Sequence, residues 1–170
     1  MLESGRATLV FDPAFVAKLE SRFVSLNPIF PAEHQGATFT FPIALGGLLS
    51  PVGTEGTLRT GGEVELLQLG ARQVFWKEPW LDLGAKVDSA EVDVDPTPAF
   101  PGKLGRIGIF DLSGGAFASD PKARTISLSG GSLLLEAQTA KTLNEVFDEG
   151  KGLFNAGELA GTVSFSAQAQ

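Results

Sequence analysis

Few residues of this 170-residue chain could carry chemistry. The chain has no cysteine and no tyrosine, and His34 is its single histidine. Without cysteine there can be no disulfide, thiolate metal site or cysteine nucleophile. One histidine excludes mechanisms that need two imidazoles and leaves a serine–histidine–aspartate triad only one possible base. Because no nucleophile, base and orienting group can be assembled, we expect no enzyme and assign no catalytic residue.

Four acidic residues near the middle of the chain are candidates for a metal site. Glu91, Asp93 and Asp95 follow Asp88 and are spaced two apart, so on a strand they project from one face. Their oxygens could hold Ca²⁺ there. The segment lacks the glycine and the spacing of an EF-hand loop. We therefore interpret it as the solvated face of a half-exposed strand with valines pointing inward, and we predict no metal site.

His34 lies in segment 31–36, just before a predicted strand at 37. Its imidazole could ligate a haem iron or another metal from one side. A histidine between Glu33 and Gln35, in a loop bounded by proline and glycine, is more often solvated. His34 stays a candidate ligand-binding residue, with the solvated loop as the alternative.

Both tryptophans lie in segment 74–81. Trp76 and Trp80 are four apart, so on a continuous strand they would share a face, although Pro79 favours a bulge or an edge. If exposed, they would form an apolar platform for a planar ligand, a sugar face or another protein. If buried, they belong to the core. A pocket lined by either indole would favour a ligand-binding module.

Charge and hydropathy exclude several partners. The formal net charge is −7, which opposes binding to nucleic acid or to an anionic membrane surface. No apolar run approaches the roughly 20 residues that cross a bilayer. With 43% hydrophobic residues, the chain can form one domain with an ordinary core.

Two segments carry helix signals. Asp12 supplies an N-cap acceptor before a proline, and apolar residues then follow at helical spacing, which predicts a helix over 13–23. The second predicted helix covers 138–148, with Thr139 as a candidate cap and Glu149–Gly150 as the stop.

Most of the remaining chain alternates polar and apolar residues, as half-buried strands do. Glycine pairs at 46–47, 61–62, 114–115 and 130–131 suit hairpin turns. Three prolines predict a loop over 95–102. We therefore predict a mainly β fold with two short helices. Its two antiparallel sheets would be packed face to face as a sandwich or strongly curled.

The two ends of the chain resemble each other. A shift of 124 positions aligns 9–12 with 133–136, Leu19 with Leu143 and Phe23 with Phe147. We predict one domain over residues 1–170. In it, repeated strand-helix-strand units at about 7–43 and 131–167 flank a β meander over 44–130.

These segments together resemble the HtaA domain of actinobacterial envelope proteins. The resemblance rests on 9–14, on 56–59 through Trp76 to 79–81, on 140–147 and on the closing segment 154–163. It implies a domain that is secreted or held at the cell surface. Well-known members of the family bind haem for iron uptake, with a tyrosine as axial iron ligand and a supporting histidine.

The chain departs from the family at the iron ligand, because it has no tyrosine. Ferric haem needs His, Cys, Met or Tyr as axial ligand, and Met1, the only methionine, lies at the chain end. His34 is then the one remaining donor, and it matches no ligand motif of the family. We expect no resident cofactor and at most weak haem binding.

Two functions remain open. The first is a non-enzymatic binding module of the cell envelope for haem or another apolar planar ligand, with Trp76, Trp80 and His34 as candidate contacts. The second is a structural or adhesive cell-surface domain without a small-molecule ligand. Either places the protein outside the cell, with an apolar small molecule or a cell-surface protein as partner.

Overall fold

Strands dominate the residues that the computed structural model describes, which are 2–44, 48–49, 55–70 and 72–169. The helices are α1 (Pro13–Glu20) and α2 (Ala137–Phe147). The strands are β1 (Leu2–Phe11), β2 (Val24–Ile29), β3 (Glu33–Gln35), β4 (Thr38–Pro42), β5 (Leu48–Leu49), β6 (Gly56–Arg59), β7 (Glu63–Gln68), β8 (Gln73–Asp82), β9 (Val87–Val94), β10 (Lys103–Ser113), β11 (Ala116–Asp120), β12 (Thr125–Leu135) and β13 (Leu159–Ala169). The predicted mainly β class with two short helices is confirmed.

All the described strands belong to one antiparallel sheet, in the order β2-β7-β8-β9-β10-β12-β13-β1-β4-β3. β11 pairs with β12, while β6 pairs with β5 and β8. The sheet nearly closes on itself, because Ile43 after β4 bridges to Thr60 before β7. The arrangement is therefore the strongly curled alternative and not a sandwich of two separate sheets.

Irregular pairing explains much of the curl. The register shifts within β8 beside β9, within β10 beside β9, and within β12 beside β13. Such bulges bend a strand and increase its twist. One of them contains Gly130–Gly131, which lies inside β12, so the predicted turn at this glycine pair is wrong. Gly114–Gly115 separates β10 from β11 and Gly61–Gly62 separates β6 from β7, but neither pair joins a hairpin, because β11 pairs with β12 and β6 pairs with β5 and β8. Gly46–Gly47 lies outside the described residues.

Helix α1 begins where the sequence predicts and ends early. The Asp12 carboxylate accepts a hydrogen bond from the Ala14 backbone N–H at 2.8 Å, which caps the first turn. The helix ends at Glu20 and not at 23. Phe23 has a φ of +57°, a left-handed conformation that a continuing helix does not permit.

Helix α2 covers 137–147, one residue from the prediction at each end. Its N-cap residue is Glu136, which makes no side-chain capping bond. Thr139 lies inside the helix, where its hydroxyl donates to the Gly108 carbonyl at 2.9 Å. The predicted cap at Thr139 is therefore wrong, because tertiary contact with β10 takes up this hydroxyl. No helix among the described residues has the length and apolar character needed to span a membrane.

The two end units have similar order. α1 and α2 begin 124 residues apart, β1 pairs with β4, and β12 pairs with β13. They also differ, because β2 and β3 lie between α1 and β4. The internal repeat and the single domain over 1–170 stay predictions.

Phenylalanines join the end units inside the core. Phe11 of β1 stacks with Phe15 of α1 at 6.1 Å between ring centroids and meets Phe39 of β4 edge-on at 5.3 Å. Phe15 also meets Phe154, which precedes β13, at 6.0 Å. Segment 95–102 connects β9 to β10 as a loop, as predicted.

Substitution at Gly161 tests the close approach of β1 and β13. A Cβ at this position would lie 2.5 Å from the Val10 carbonyl oxygen, so Gly161→Ala must push the strands apart. We expect a loss of about 1–3 kcal/mol in the free energy of unfolding, measured by urea denaturation. Gly84→Ala is the control, since its new Cβ would lie 3.5 Å from the nearest atom. Equal midpoints for the two variants would contradict the prediction.

Candidate functional site

The two tryptophans lie on different faces of the sheet. Glu78 has a φ of +47°, and the β8–β9 register shifts between Lys77 and Trp80. This bulge, which Pro79 favours in the sequence, reverses the alternation, so Trp76 and Trp80 do not share the face that a continuous strand would give them. Pro79, which lacks a backbone N–H for the ladder, is part of the irregular segment.

Trp76 is buried, whereas Trp80 lines a surface pocket of about 420 Å³ together with Phe30 and Glu78. Trp76 is 3% exposed and meets Phe110 edge-on at 5.4 Å between ring centroids. Trp80 is half-buried between two guanidinium groups, Arg59 at 4.3 Å and Arg106 at 3.8 Å from its ring centroid. Both guanidinium groups are close enough for cation–π contact with the Trp80 ring.

Trp76 lines a cavity inside the curled sheet, together with Phe110 and Asp88. The cavity volume is about 40 Å³. Pockets for drug-sized ligands measure about 300–1,000 Å³. This interior space is too small for a porphyrin.

Asp88 points into this apolar interior. It keeps part of its surface accessible, yet loss of solvation among the surrounding atoms raises its pKa from the usual 3.8 to about 7, against the opposing charge of Arg106. Asp88 is thus separated from the other three acidic residues of the predicted run.

Those three residues lie on the outer face, as the solvated-face interpretation predicts. Glu91 is 3.6 Å from Arg106, and Asp93 is 2.7 Å from Lys77. Asp95 accepts a hydrogen bond from the Gln73 backbone N–H at 2.9 Å. Within the described part of the chain, no group of three or more His, Asp or Glu side chains could hold a metal ion.

His34 lies on strand β3 and not in a loop. It pairs with Phe39 across β3 and β4, and the two rings are 5.2 Å apart. The side chain is exposed, as expected for a solvated histidine. The structure therefore does not bring His34 together with either tryptophan into one site.

A wide apolar groove lies beside α1, away from all three candidate residues. Its volume is about 640 Å³, within the range of ligand pockets. The residues that line it come from α1, from β2, from the turn before β4 and from the end of β7: Val16, Leu19, Glu20, Phe23, Val24, Ser25, Leu26, Gly36, Ala37, Leu67 and Leu69.

Two large apolar side chains form the lips of the groove. Phe23 is 74% exposed and Leu69 is 80% exposed. The Leu69 backbone N–H donates to the Phe23 carbonyl at 3.0 Å, which joins the lips. A bulky residue with positive φ is uncommon, and residues in such strained conformations are often found at functional sites.

Polar contacts outside the groove, most of them with the C-terminal end of α2, hold the groove walls in place. Arg72, beyond the Leu69 lip, donates to the Val146 carbonyl at 2.8 Å, and Gln68 donates to the Arg22 carbonyl at 3.0 Å. Arg22, next to the Phe23 lip, forms an ion pair of 2.6 Å with Asp148. The spacing of the lips is therefore set by contacts outside the groove.

The groove offers no conventional ligand for a haem iron. The described residues that line it include no His, Cys, Met or Tyr. Ser25 donates its hydroxyl to the Leu67 carbonyl at 3.3 Å. His34 is not a lining residue, and Met1 lies outside the described residues. The apolar walls suit the body of a planar macrocycle, whereas the donor set does not suit its iron.

Sequence reasoning missed this groove. Phe23 falls on the apolar stripe that predicts a helix over 13–23, so the pattern assigns it to the core. The available signal was Leu69 before Gly70, an apolar residue next to a single glycine. Only the meeting of this segment with the end of α1 makes the two residues neighbours.

The curled sheet, its two helices and the groove beside α1 define a mainly β domain with an apolar surface site. The particular fold is that of the HtaA domain. The crystal structure of the C-terminal domain of HtaA from Corynebacterium glutamicum matches with a TM-score of 0.73 and 14% identity, over 98% of this chain and 96% of that one. The N-terminal domain of the same protein gives 0.71 and 18%, over 100% and 99%.

Heme binding protein HtaB from the same organism is also similar, with a TM-score of 0.64 and 12% identity over 100% of this chain and 96% of that chain. No family model matches the chain. No curated protein matches it in sequence. The likeness is therefore one of fold, as the sequence resemblance predicted.

The pKa of Asp88 makes a signed prediction for stability. A folded-state pKa of about 7 against 3.8 means that the folded protein binds the proton more tightly, so stability falls as pH rises through this window. Asp88→Asn removes the titration. We expect the variant to gain about 2–4 kcal/mol over wild type at about pH 8.5, and much less at about pH 4. Urea unfolding at several pH values measures the difference, and a difference independent of pH would contradict the assignment.

Proposed function

We propose that this chain is a non-enzymatic binding module of the cell envelope that takes an apolar planar ligand into the groove between α1 and β2. The observation that carries the proposal is the exposure of Phe23 and Leu69 above a 640 Å³ apolar groove. Contiguous apolar surface of this kind is typical of ligand or partner sites.

The geometry of the lips supports ligand binding over chance exposure. Phe23 takes a left-handed backbone conformation, and the bond from Leu69 to its carbonyl stabilises that conformation. At either solvated position, a polar side chain would cost less free energy of hydration than an apolar one. An apolar ligand would cover both side chains and regain the free energy lost by exposing them.

The HtaA-like fold supports the envelope location and the absence of enzymatic activity. HtaB is a heme binding protein, which makes a planar macrocycle a reasonable ligand class. For this chain we propose that haem, when it enters the groove, is held by apolar contact alone. Its iron would find no axial ligand among the described residues that line the groove.

The alternative, a structural or adhesive surface domain, is favoured by one observation. Trp76 is packed in the core, and the interior cavity is small. An apolar dye in the groove distinguishes the two functions.

A titration with Nile red, an uncharged planar dye, tests the groove. We expect saturable binding with increased fluorescence, because the dye leaves water for apolar walls. Phe23→Ala removes one lip and should weaken binding about fivefold or more, as loss of about 1 kcal/mol of apolar contact implies.

Phe30→Ala is the matched control. Phe30 is 90% exposed and lies outside the groove, in the separate surface pocket that Trp80 lines, so a loss of dye binding in Phe30→Ala alone would place the dye there and contradict the proposed site. It should bind Nile red like wild type, and both variants should keep the wild-type circular dichroism spectrum. Equal weakening in the two variants, or no binding by wild type, would favour the structural domain.

Hemin tests the donor set. We expect purified protein to carry no haem, and added hemin to give no sharp Soret shift at one equivalent. His34→Ala should leave the titration unchanged, because His34 lies outside the groove. A saturable shift that disappears in His34→Ala would make His34 an axial ligand and contradict the proposal.

A further inference from the structure

We infer that the groove selects its ligand by charge, taking apolar planar molecules that are uncharged or cationic and discriminating against anionic ones, so that haem with its two propionates would be held only weakly. Glu20 is the specificity-determining residue. This inference rests on the proposed function and adds the ligand class.

The charge of the groove walls comes from Glu20. Among the described residues that line it, Glu20 is the only charged one, and no Lys, Arg or His contributes to the walls. The side chain is exposed at the end of α1, so it can follow a charged group on a ligand. A carboxylate bound nearby would meet like charge and no compensating cation.

The nearest cations along the chain are engaged elsewhere. Lys18 forms an ion pair with Glu158, and Arg22 forms one with Asp148. Arg72 donates to the carbonyls at the end of α2. Recruiting any of them to an anionic ligand would break a contact that supports the groove.

Helix α1 points its negative end toward the same place. Leu19 and Glu20 close the helix, and both line the groove. The C-terminal end of a helix favours cations and disfavours anions. The basic residue of the last turn is Lys18, whose charge is balanced by Glu158.

Three planar apolar probes separate charge from apolar contact: thioflavin T, a cation; Nile red, uncharged; and 8-anilinonaphthalene-1-sulfonate, an anion. We expect wild type to bind the first two more tightly than the third. Glu20→Gln should weaken thioflavin T about two- to fivefold and strengthen the anion by a similar factor, as expected for an exposed charge. Glu20→Lys should reverse the order of thioflavin T and the anion.

Glu3→Gln is the matched control. It removes the same charge from the exposed start of β1 and should change none of the three affinities. Added salt of about 0.5 M should reduce the effect of Glu20→Gln while leaving Nile red binding in place, because screening acts on charge.

The outcomes distinguish failure of this inference from failure of the proposed function on which it rests. If Phe23→Ala weakens all three probes but Glu20→Lys leaves their order unchanged, charge selection is wrong and the groove stands. Equal affinity of wild type for the cation and the anion overturns the inference in the same way. If no probe responds to Phe23→Ala, the groove is not the binding site and both proposals fail.

Discussion

The pairing of β1 with β13 is the constraint on which the rest of the structure depends. It places the two ends of the chain side by side, from Leu2 opposite Ala169 to Phe11 opposite Gly161. β12 pairs with the other edge of β13 and is likewise antiparallel to it, so β1 and β12 run in the same direction. α1 and α2, which follow these two strands, therefore start at the same end of the sheet. Gly161 permits this approach because a side chain there would meet the backbone of β1.

Placing both helices at one end explains how a surface groove is held rigid. Arg22, after α1, reaches Asp148, after α2, and Lys18 reaches Glu158. Arg72 brings the segment after β7 to the same helix end by donating to its carbonyls. These polar contacts lie outside the groove and fix the positions of the lips Phe23 and Leu69. The described residues that line the groove are mainly apolar, with Glu20 as the only charged one.

Whether a feature could be predicted from the sequence depends on how far apart along the chain the interacting residues lie. Asp12 caps α1 through a bond two residues away, so a local pattern was sufficient. Thr139 bonds to β10 across the fold, and its role was invisible locally. The bulge at Glu78 places the two tryptophans on different faces, and the neighbouring Pro79 was the local signal for it. The prediction for Phe23 was wrong for a related reason. Its helical spacing favours burial, whereas its position beyond the end of α1 exposes it.

The described residues that line the groove include no iron ligand, and this increases the effect that a single carboxylate can have on the affinity for a ligand. A coordinate bond to iron would dominate the binding free energy, and an exposed charge worth about 0.2–1 kcal/mol would be a minor correction to it. When apolar contact alone holds the ligand, entropy and desolvation offset much of the gain from buried area, and the surplus is small. A difference of about 1 kcal/mol is then about fivefold in affinity. Under the proposed function, Glu20 can therefore act as a selector because the described residues that line the groove include no iron donor that would dominate binding.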